Sequence, residues 1–451
     1  MSHPNILFVF ADQLRYDALG CNGNALARTP TLDALAAESV TLDRAYSSCP
    51  ICAPYRGQVL TGNYSHVNGV ICNEYRLFDH QRTLPQRLAE HGYRSGFIGK
   101  WHLGYGPYDE ANRYGFDDLW GYNCEHNYYD IPFWRNEDGP VRVREYAPEH
   151  ETRLTLEWID RHRADHGDRP FLAMLGWGPP HWANPRKDYR CYPGKYRLFD
   201  ARRMPVPDSV PEAMREFAAE ETADYYGMVT SLDDCLGRLM DGLARRGLAE
   251  ETIVCFSSDH GDHLGVHGYG KPSDDWLPPE MRASKATPLQ EAVRIPTIIR
   301  WPQALGSGRR SDVLFNTVDV APTLMSLAGL PVPEDVQGRD LAEALAGKAE
   351  GPDSVYLQIL GTGWPLRSAF TGLWRGICDG RYTYARWHEA GPRGGLRVLY
   401  DLETDPLQMR NLIDEPTSAD LAERLETRLR QWIAETDDPF DTGPRLPVTG
   451  M

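Results

Sequence analysis

The chain has 451 residues, 41% of them hydrophobic and 25% charged, the composition of an ordinary globular protein that buries a core without disulfide staples. A formal net charge of -16 excludes a general affinity for nucleic acid, and no run approaches the roughly 18 apolar residues of a membrane span. The nine cysteines, odd in number and widely spread, read as thiols rather than as a disulfide framework. The N-terminus MSHPNILFVFADQ has no basic segment or cleavage site and leads straight into apolar sequence. The expected location is cytoplasmic, with a secreted or periplasmic one only if a leader has been removed.

In chain order, residues 5–11 (NILFVFA) are a continuous apolar run closed by polar residues, as expected of a buried parallel strand. Helices are predicted over 31–39, 84–91, 149–163, 217–246 and 320–328, with strands over 95–98, 171–175, 252–257 and 295–301. The 217–246 segment carries Tyr225, Met228, Val229, Leu232, Leu236 and Leu239 at helical spacing and stops at Gly247, a natural C-cap. This alternation argues for a doubly wound α/β sheet. After a Gly/Pro/Glu-rich stretch near 347–353 come short strand-like runs (355–360, 367–377, 381–386, 396–400) and an amphipathic helix near 418–435. They predict a small antiparallel sheet with one helix. The expected organisation is a catalytic α/β domain over 1–350 and an α+β subdomain over 351–451.

Asp12 and Gln13 stand just past the first strand, and Asp259 and His260 just past the strand that ends near 258. Ligands of open α/β sheets bind beyond the carboxyl ends of the strands. Two carboxylates, an amide oxygen and an imidazole can therefore converge on one divalent cation, although a strand-end Asp alone often only caps a turn. Carboxylate and amide oxygens favour Ca²⁺ first, the imidazole leaves Mn²⁺ or Mg²⁺ open, and zinc lacks its usual His- or Cys-rich set.

Residues 52–62 read CAPYRGQVLTG. Most free cysteines are small buried hydrophobes. Here Pro54 suits a helix start, a helix N-terminus attracts anions, and Arg56 adds a permanent charge. The pattern Cys52-x-Pro54-x-Arg56, closing in Leu-Thr-Gly, resembles the signature of type I sulfatases. Tyr55 stands where that family commonly has a small residue. The segment GKWHLG (99–104) matches the family's second signature, and ADQ with SSDHGD resembles the metal site of the alkaline phosphatase superfamily. The Gln13/His260 pair also resembles choline sulfatases and phosphonate monoester hydrolases. Pro179-Pro180-His181 matches the Pro-His after the mid-domain strand, and LYDLETDPLQMRNL (399–412) resembles the sulfatase tail.

The resemblance implies an alkaline phosphatase-like large mixed sheet between helices, with a smaller C-terminal antiparallel sheet and helix. It implies that Cys52 is converted to formylglycine by a formylglycine-generating enzyme, and that the hydrate is the nucleophile and a ligand of the metal. It also implies that Asp12, Gln13, Asp259 and His260 hold the metal, and that Arg56 and Lys100 hold the sulfate. His102 contacts a formylglycine hydroxyl and is the candidate base of the second step, while His181 is the leaving-group acid. Lys285, six residues before Glu291, resembles the last active-site lysine, with Lys271 as its rival. The implied substrate is a small-molecule or oligosaccharide sulfate ester, a carbohydrate sulfate first, then choline or aryl sulfate. A phosphonate monoester or phosphodiester hydrolase on the same site is the alternative, and a sulfated-glycan-binding protein with a decayed site a more distant one. His126, Trp182, Trp364 and Arg367 are candidate rim residues for the leaving group, and Asp319 reads as a helix cap. Oligomeric state is not legible.

Overall fold

The computed structural model describes residues 3–182, 191–268, 285–361, 373–389 and 394–442. The apolar run at the N-terminus forms strand β1 (Asn5–Asp12), buried at every position. It is followed by β2 (Val40–Leu42), β3 (Ala45–Tyr46), β4 (Arg94–Lys100), β5 (Asp118–Tyr122), β6 (Ile131–Arg135), β7 (Asp138–Val143), β8 (Phe171–Pro180), β9 (Thr252–Ser258), β10 (Thr297–Arg300), β11 (Arg309–Ser311) and β12 (Phe315–Asn316). Ten of these make one sheet in the order β11-β2-β10-β9-β1-β8-β4-β5-β6-β7. The five strands β9, β1, β8, β4 and β5 run parallel. β10 and β6 are antiparallel to the neighbours that flank this block, so the doubly wound expectation holds for the centre and the whole sheet is mixed.

Alternate residues of β1 serve opposite faces, as the period of a strand requires. Leu7, Val9 and Ala11 pack with α1 (Pro30–Ala37) and with two long helices further along the chain. Ile6, Phe8 and Phe10 face the helix α2 (Cys52–Thr61). The two long helices are α3 (Ala147–His166) and α4 (Arg215–Arg245). α4 buries Tyr225, Met228, Val229, Leu232, Leu236, Leu239 and Leu243 on one stripe, and Gly247 follows it at φ 70°, the left-handed position at which helices commonly stop. On the opposite face, α5 (Val320–Leu327) joins α2.

Four antiparallel strands, β13 (Val355–Ile359), β14 (Trp374–Cys378), β15 (Tyr382–Trp387) and β16 (Arg397–Asp401), form the second sheet in sequence order. One face, with Tyr356, Ile377, Tyr384 and Leu399, packs on Leu425, Leu429, Trp432 and Ile433 of α6 (Ala419–Glu435). The other face packs on Tyr46, Cys49, Ile51 and Ala286, the segments that lead into α2 and flank Lys285. Buried Asp438, beyond α6, accepts from Arg375 Nε and Nη2 at 2.7 and 2.9 Å, a two-pronged pairing that ties the chain after α6 to β14.

Two local features shape the edge of the sheet where β1 and β8 end. The β1–β8 ladder pairs Ala11 with Trp177 and then Asp12 with Pro180, so β8 carries extra residues at that point. Behind the same edge, Glu151 of α3 is fully buried, and neither carboxyl oxygen has a hydrogen bond of ordinary geometry. Burial pushes this carboxyl up to about 8, against a weaker opposing pull from the Tyr122 hydroxyl.

The native state thus keeps a proton that the unfolded chain releases near pH 4.3, so this group's effect on stability worsens as pH rises from there to about 8. Glu151→Gln is expected to leave stability at pH 5 nearly unchanged and to raise it by about 2–4 kcal/mol at pH 8. Chemical denaturation of both proteins at the two pH values checks this; an equal difference at pH 5 and pH 8 would refute it.

Candidate active site

Four adjacent parallel strands deliver the polar residues. Asp12 ends β1, Lys100 ends β4, His181 follows β8, and Asp259 with His260 follows β9. Their neighbour order is β9-β1-β8-β4, so residues far apart in sequence meet along one edge. Gly99 sets the approach of β4: it sits at φ 98°, and a Cβ there would meet the Gly176 carbonyl oxygen at 2.3 Å. Only glycine lets β4 close on β8 immediately before Lys100. Cys52 enters from the other side, at the first turn of α2, whose every residue is buried. Pro54 lies in that first turn, where a missing N–H costs nothing, and Gly62 closes the helix at φ 71°.

The side chains then converge. Asp12 Oδ2 accepts from Lys100 Nζ at 2.5 Å and from Arg56 Nη2 at 3.4 Å. Arg56 Nη1 donates to Asp259 Oδ2 at 2.8 Å, so one guanidinium spans both carboxylates. Cys52 Sγ lies 3.5 Å from Asp12 Oδ1, 3.3 Å from His260 Nε2 and 3.2 Å from Lys285 Nζ. The Gln13 backbone N–H donates to Asp259 Oδ1 at 2.9 Å. Gln13 Oε1 accepts from Lys285 Nζ at 3.4 Å, and its Nε2 donates to Asp262. All ten residues singled out for the site lie within the described structure and are buried. Lys285 reaches the thiol, while its rival Lys271, and the rim candidates Trp364 and Arg367, lie outside the described residues.

One carboxylate, one thiol, a second carboxylate and an imidazole place ligand atoms of Asp12, Cys52, Asp259 and His260 within 4.8 Å of one another. His260 Nδ1 donates to the Gly261 carbonyl at 2.8 Å, which leaves its Nε2 lone pair turned toward Asp12 Oδ1 at 3.7 Å and Asp259 Oδ1 at 3.5 Å. Such a second hydrogen bond is how a metal-binding histidine is oriented. Burial, Lys285 and other neighbours hold the His260 imidazole well below its ordinary value, hence neutral. The set fits a divalent cation.

Electrostatics separates the two carboxyls. Burial alone would raise Asp12, but Lys100 and then Arg56 and Lys285 outweigh it and hold the group well below the usual carboxylate range. Asp259, raised by burial and by the charge of Asp12, stands at about 6 despite Arg56 and Lys285. The Cys52 thiol is pushed up to about 12, first by burial and then by Asp12. A thiol so held is a poor source of thiolate near neutrality. Cys49 stands three residues before it, giving a Cys-x-x-Cys spacing. No disulfide joins the two, and Cys49 lies instead among the residues packed under the second sheet.

The remaining candidates lie beside Lys100. His102, at φ 56°, is buried with Nδ1 lacking a partner. His181 Nδ1 faces the Trp182 carbonyl at 3.1 Å. His126 and Trp182, read from sequence as rim residues, are buried at 8% and 6% exposure; His126 lies inside the cluster, 3.0 Å from Lys100 Nζ. Asp319, expected to cap a helix, makes no side-chain cap on α5; it accepts from the Asn316 N–H at 2.8 Å and so closes the short turn before that helix. Sequence reasoning missed Asp262, which orients Gln13 although it stands in the SSDHGD segment itself, and Tyr225, whose hydroxyl donates to the Gln13 carbonyl at 2.7 Å.

Residues 4–330 match the Sulfatase family model. The chain belongs to the sulfatase family. It is thus an enzyme that hydrolyses sulfate esters, and the family implies a divalent metal and a formylglycine, for which the buried cluster provides the residues. Residues 284–435 match a model described as N-sulphoglucosamine sulphohydrolase, C-terminal. Among relatives, the sulfatase is 30% identical to an ulvan-active sulfatase of Formosa agariphila, over 97% of this chain and 82% of the other. It is 26% identical to an N-acetylglucosamine-6-O-sulfatase of Bacteroides thetaiotaomicron, over 97% and 87%. The solved structure of a candidate sulfatase of Bacteroides fragilis superposes with a TM-score of 0.82 at 28% identity, covering 97% of each chain.

If these residues hold the ion, Asp12→Asn is expected to weaken divalent-metal affinity of the sulfatase by at least about 100-fold, the upper range for loss of a mere supporting partner. Calorimetric titration with Ca²⁺, Mn²⁺ and Mg²⁺ measures it; unchanged affinity for all three would remove Asp12 from the ligand set.

Proposed function

We propose that this sulfatase releases sulfate from a carbohydrate ester, with residue 52 as formylglycine and one divalent ion, Ca²⁺ first, held by Asp12, Gln13, Asp259, His260 and residue 52. The observation that carries the reading is the position of Cys52: a protonated thiol at the N-terminus of a buried helix, among two carboxylates, an imidazole and three cationic side chains. The carbohydrate leaving group is supported by the names of the relatives, one ulvan-active and one an N-acetylglucosamine-6-O-sulfatase.

When present, the formylglycine hydrate supplies the attacking oxygen, and the metal supplies positive charge that favours its ionised form. The chain's own residues do the rest. Arg56, Lys100 and Lys285 hold the anionic sulfate, offsetting the repulsion between it and an oxyanion. Lys100 has its protonated form strengthened, since Asp12 outweighs the effect of burial. His181 keeps Nδ1 on the Trp182 carbonyl, so Nε2 is its working nitrogen and gives a proton to the departing oxygen. In the free protein burial first, and then the charge of Lys285, hold this ring neutral; a bound sulfate anion is the charge that draws the proton in. His102, also held neutral by burial and Lys100, is fitted to accept a proton in the second step. The maturation partner is the formylglycine-generating enzyme. A cytoplasmic location belongs to the same reading, the wide spacing of the cysteines offering no disulfide framework.

Peptide mass spectrometry across residue 52 is expected to show a loss of about 18 Da relative to cysteine, the conversion of a thiol carbon to an aldehyde. Cys52→Ser is expected to lose multiple turnover on 4-nitrophenyl sulfate altogether, because a serine ester cannot collapse to release sulfate. Full turnover by the serine variant would overturn the mechanism. Higher kcat/KM on an aryl phosphonate than on the matching aryl sulfate would overturn the substrate class.

A further inference from the structure

We infer that His126 is a positioning residue for the departure of the leaving group: it holds the His181 ring in place by stacking, and is itself held by Lys100. The inference rests on the reading of His181 as leaving-group acid. The two imidazoles lie face to face, with centroids 3.9 Å apart and planes 9° from parallel. Ring pairs left to themselves prefer offset or edge-on contact at larger separation. So close a sandwich needs anchors, and each ring has one.

A lysine ammonium can only donate a hydrogen bond, and Lys100 Nζ lies 3.0 Å from His126 Nε2. That nitrogen therefore carries a lone pair, and the ring is neutral with its proton on Nδ1. The Cys124 thiol lies 3.5 Å from the same nitrogen. A peptide carbonyl can only accept, and the Trp182 carbonyl lies 3.1 Å from His181 Nδ1. That fixes the second proton and leaves His181 Nε2 for the substrate. When His181 is protonated, a neutral aromatic face on its flank is a favourable neighbour for the cation. The proton on Nε2 then passes to the ester oxygen as the sulfur–oxygen bond breaks. The bonding pair stays on that oxygen, the alcohol departs, and sulfur keeps its bond to the oxygen of residue 52. His126 takes part in none of these bonds. It sets where Nε2 points, and it links the lysine that holds the sulfate to the acid that frees the alcohol.

The test uses metal-loaded, formylglycine-bearing enzyme with 4-nitrophenyl sulfate, whose leaving group needs little protonation, and phenyl sulfate, which needs more. His126→Ala is expected to lower kcat on phenyl sulfate about 100-fold and on 4-nitrophenyl sulfate less than about 10-fold, with KM little changed. His126→Phe, which keeps a flat ring, is expected to recover the native ratio of the two rates. Equal losses on both substrates in His126→Ala, no loss in it, or a phenylalanine variant as selective as His181→Ala, would overturn the inference. If the alanine variant does not fold, the phenylalanine variant decides alone: the native ratio supports the inference, and the ratio of His181→Ala refutes it. His181→Ala is the control for the underlying reading. If it loses both substrates equally, the acid assignment fails and the role of His126 falls with it. If it discriminates and His126→Ala does not, only the role of His126 falls.

Discussion

A carboxylate with no access to water must be answered by positive charge, and Asp12 is that carboxylate here. It is fully buried at the end of the central strand, where an unpaired charge would cost several kcal/mol. Lys100 arrives from β4 and Arg56 from α2 to meet it. Because Arg56 also binds Asp259, the guanidinium joins the ends of β1 and β9 to the first turn of α2. Cys52 is on that turn. Charge compensation, helix placement and the location of the reactive residue are therefore one requirement.

The centre of the fold was legible where its strands carry continuous apolar runs, as β1 and β8 do, whereas β5 (DLWGY), too short and mixed to show one, was missed. The edges were not legible. β2 and β11 have three residues each, too few to show a period, and the β6–β7 pair is largely exposed on its second strand. Site residues at strand ends were legible for a related reason: their chemistry is set by position on the chain. Lys285 and Lys271 could not be separated by spacing, because what places Lys285 is spatial. The Trp374 indole of the second sheet donates to the Ala286 carbonyl at 3.0 Å, and no local pattern announces that contact. His126 was misread as rim for the same reason, since its partners Lys100 and His181 are brought to it by other strands.

Tyr55, the departure within the cysteine signature, has a simple structural account. Its ring lies 5.7 Å from the Phe10 ring in the apolar layer beneath α2. The core takes up the bulk, and the hydroxyl is buried there within the field of Asp259 and Arg56.

The irregular pairing between β1 and β8 bears on how far the chain can vary. Between Trp177, level with Ala11, and Pro180, level with Asp12, two residues of β8 have no counterpart on β1. That surplus sets the height at which His181 leaves the sheet relative to Asp12. Side chains alternate along a strand, so removing one residue of the surplus reverses the side on which the next one emerges. In this stretch length is under constraint as well as size, since a Cβ at Gly178 would meet the Tyr128 ring at 2.6 Å. A deletion of one residue turns the imidazole away from the cleft and cannot be repaired by any choice of side chain.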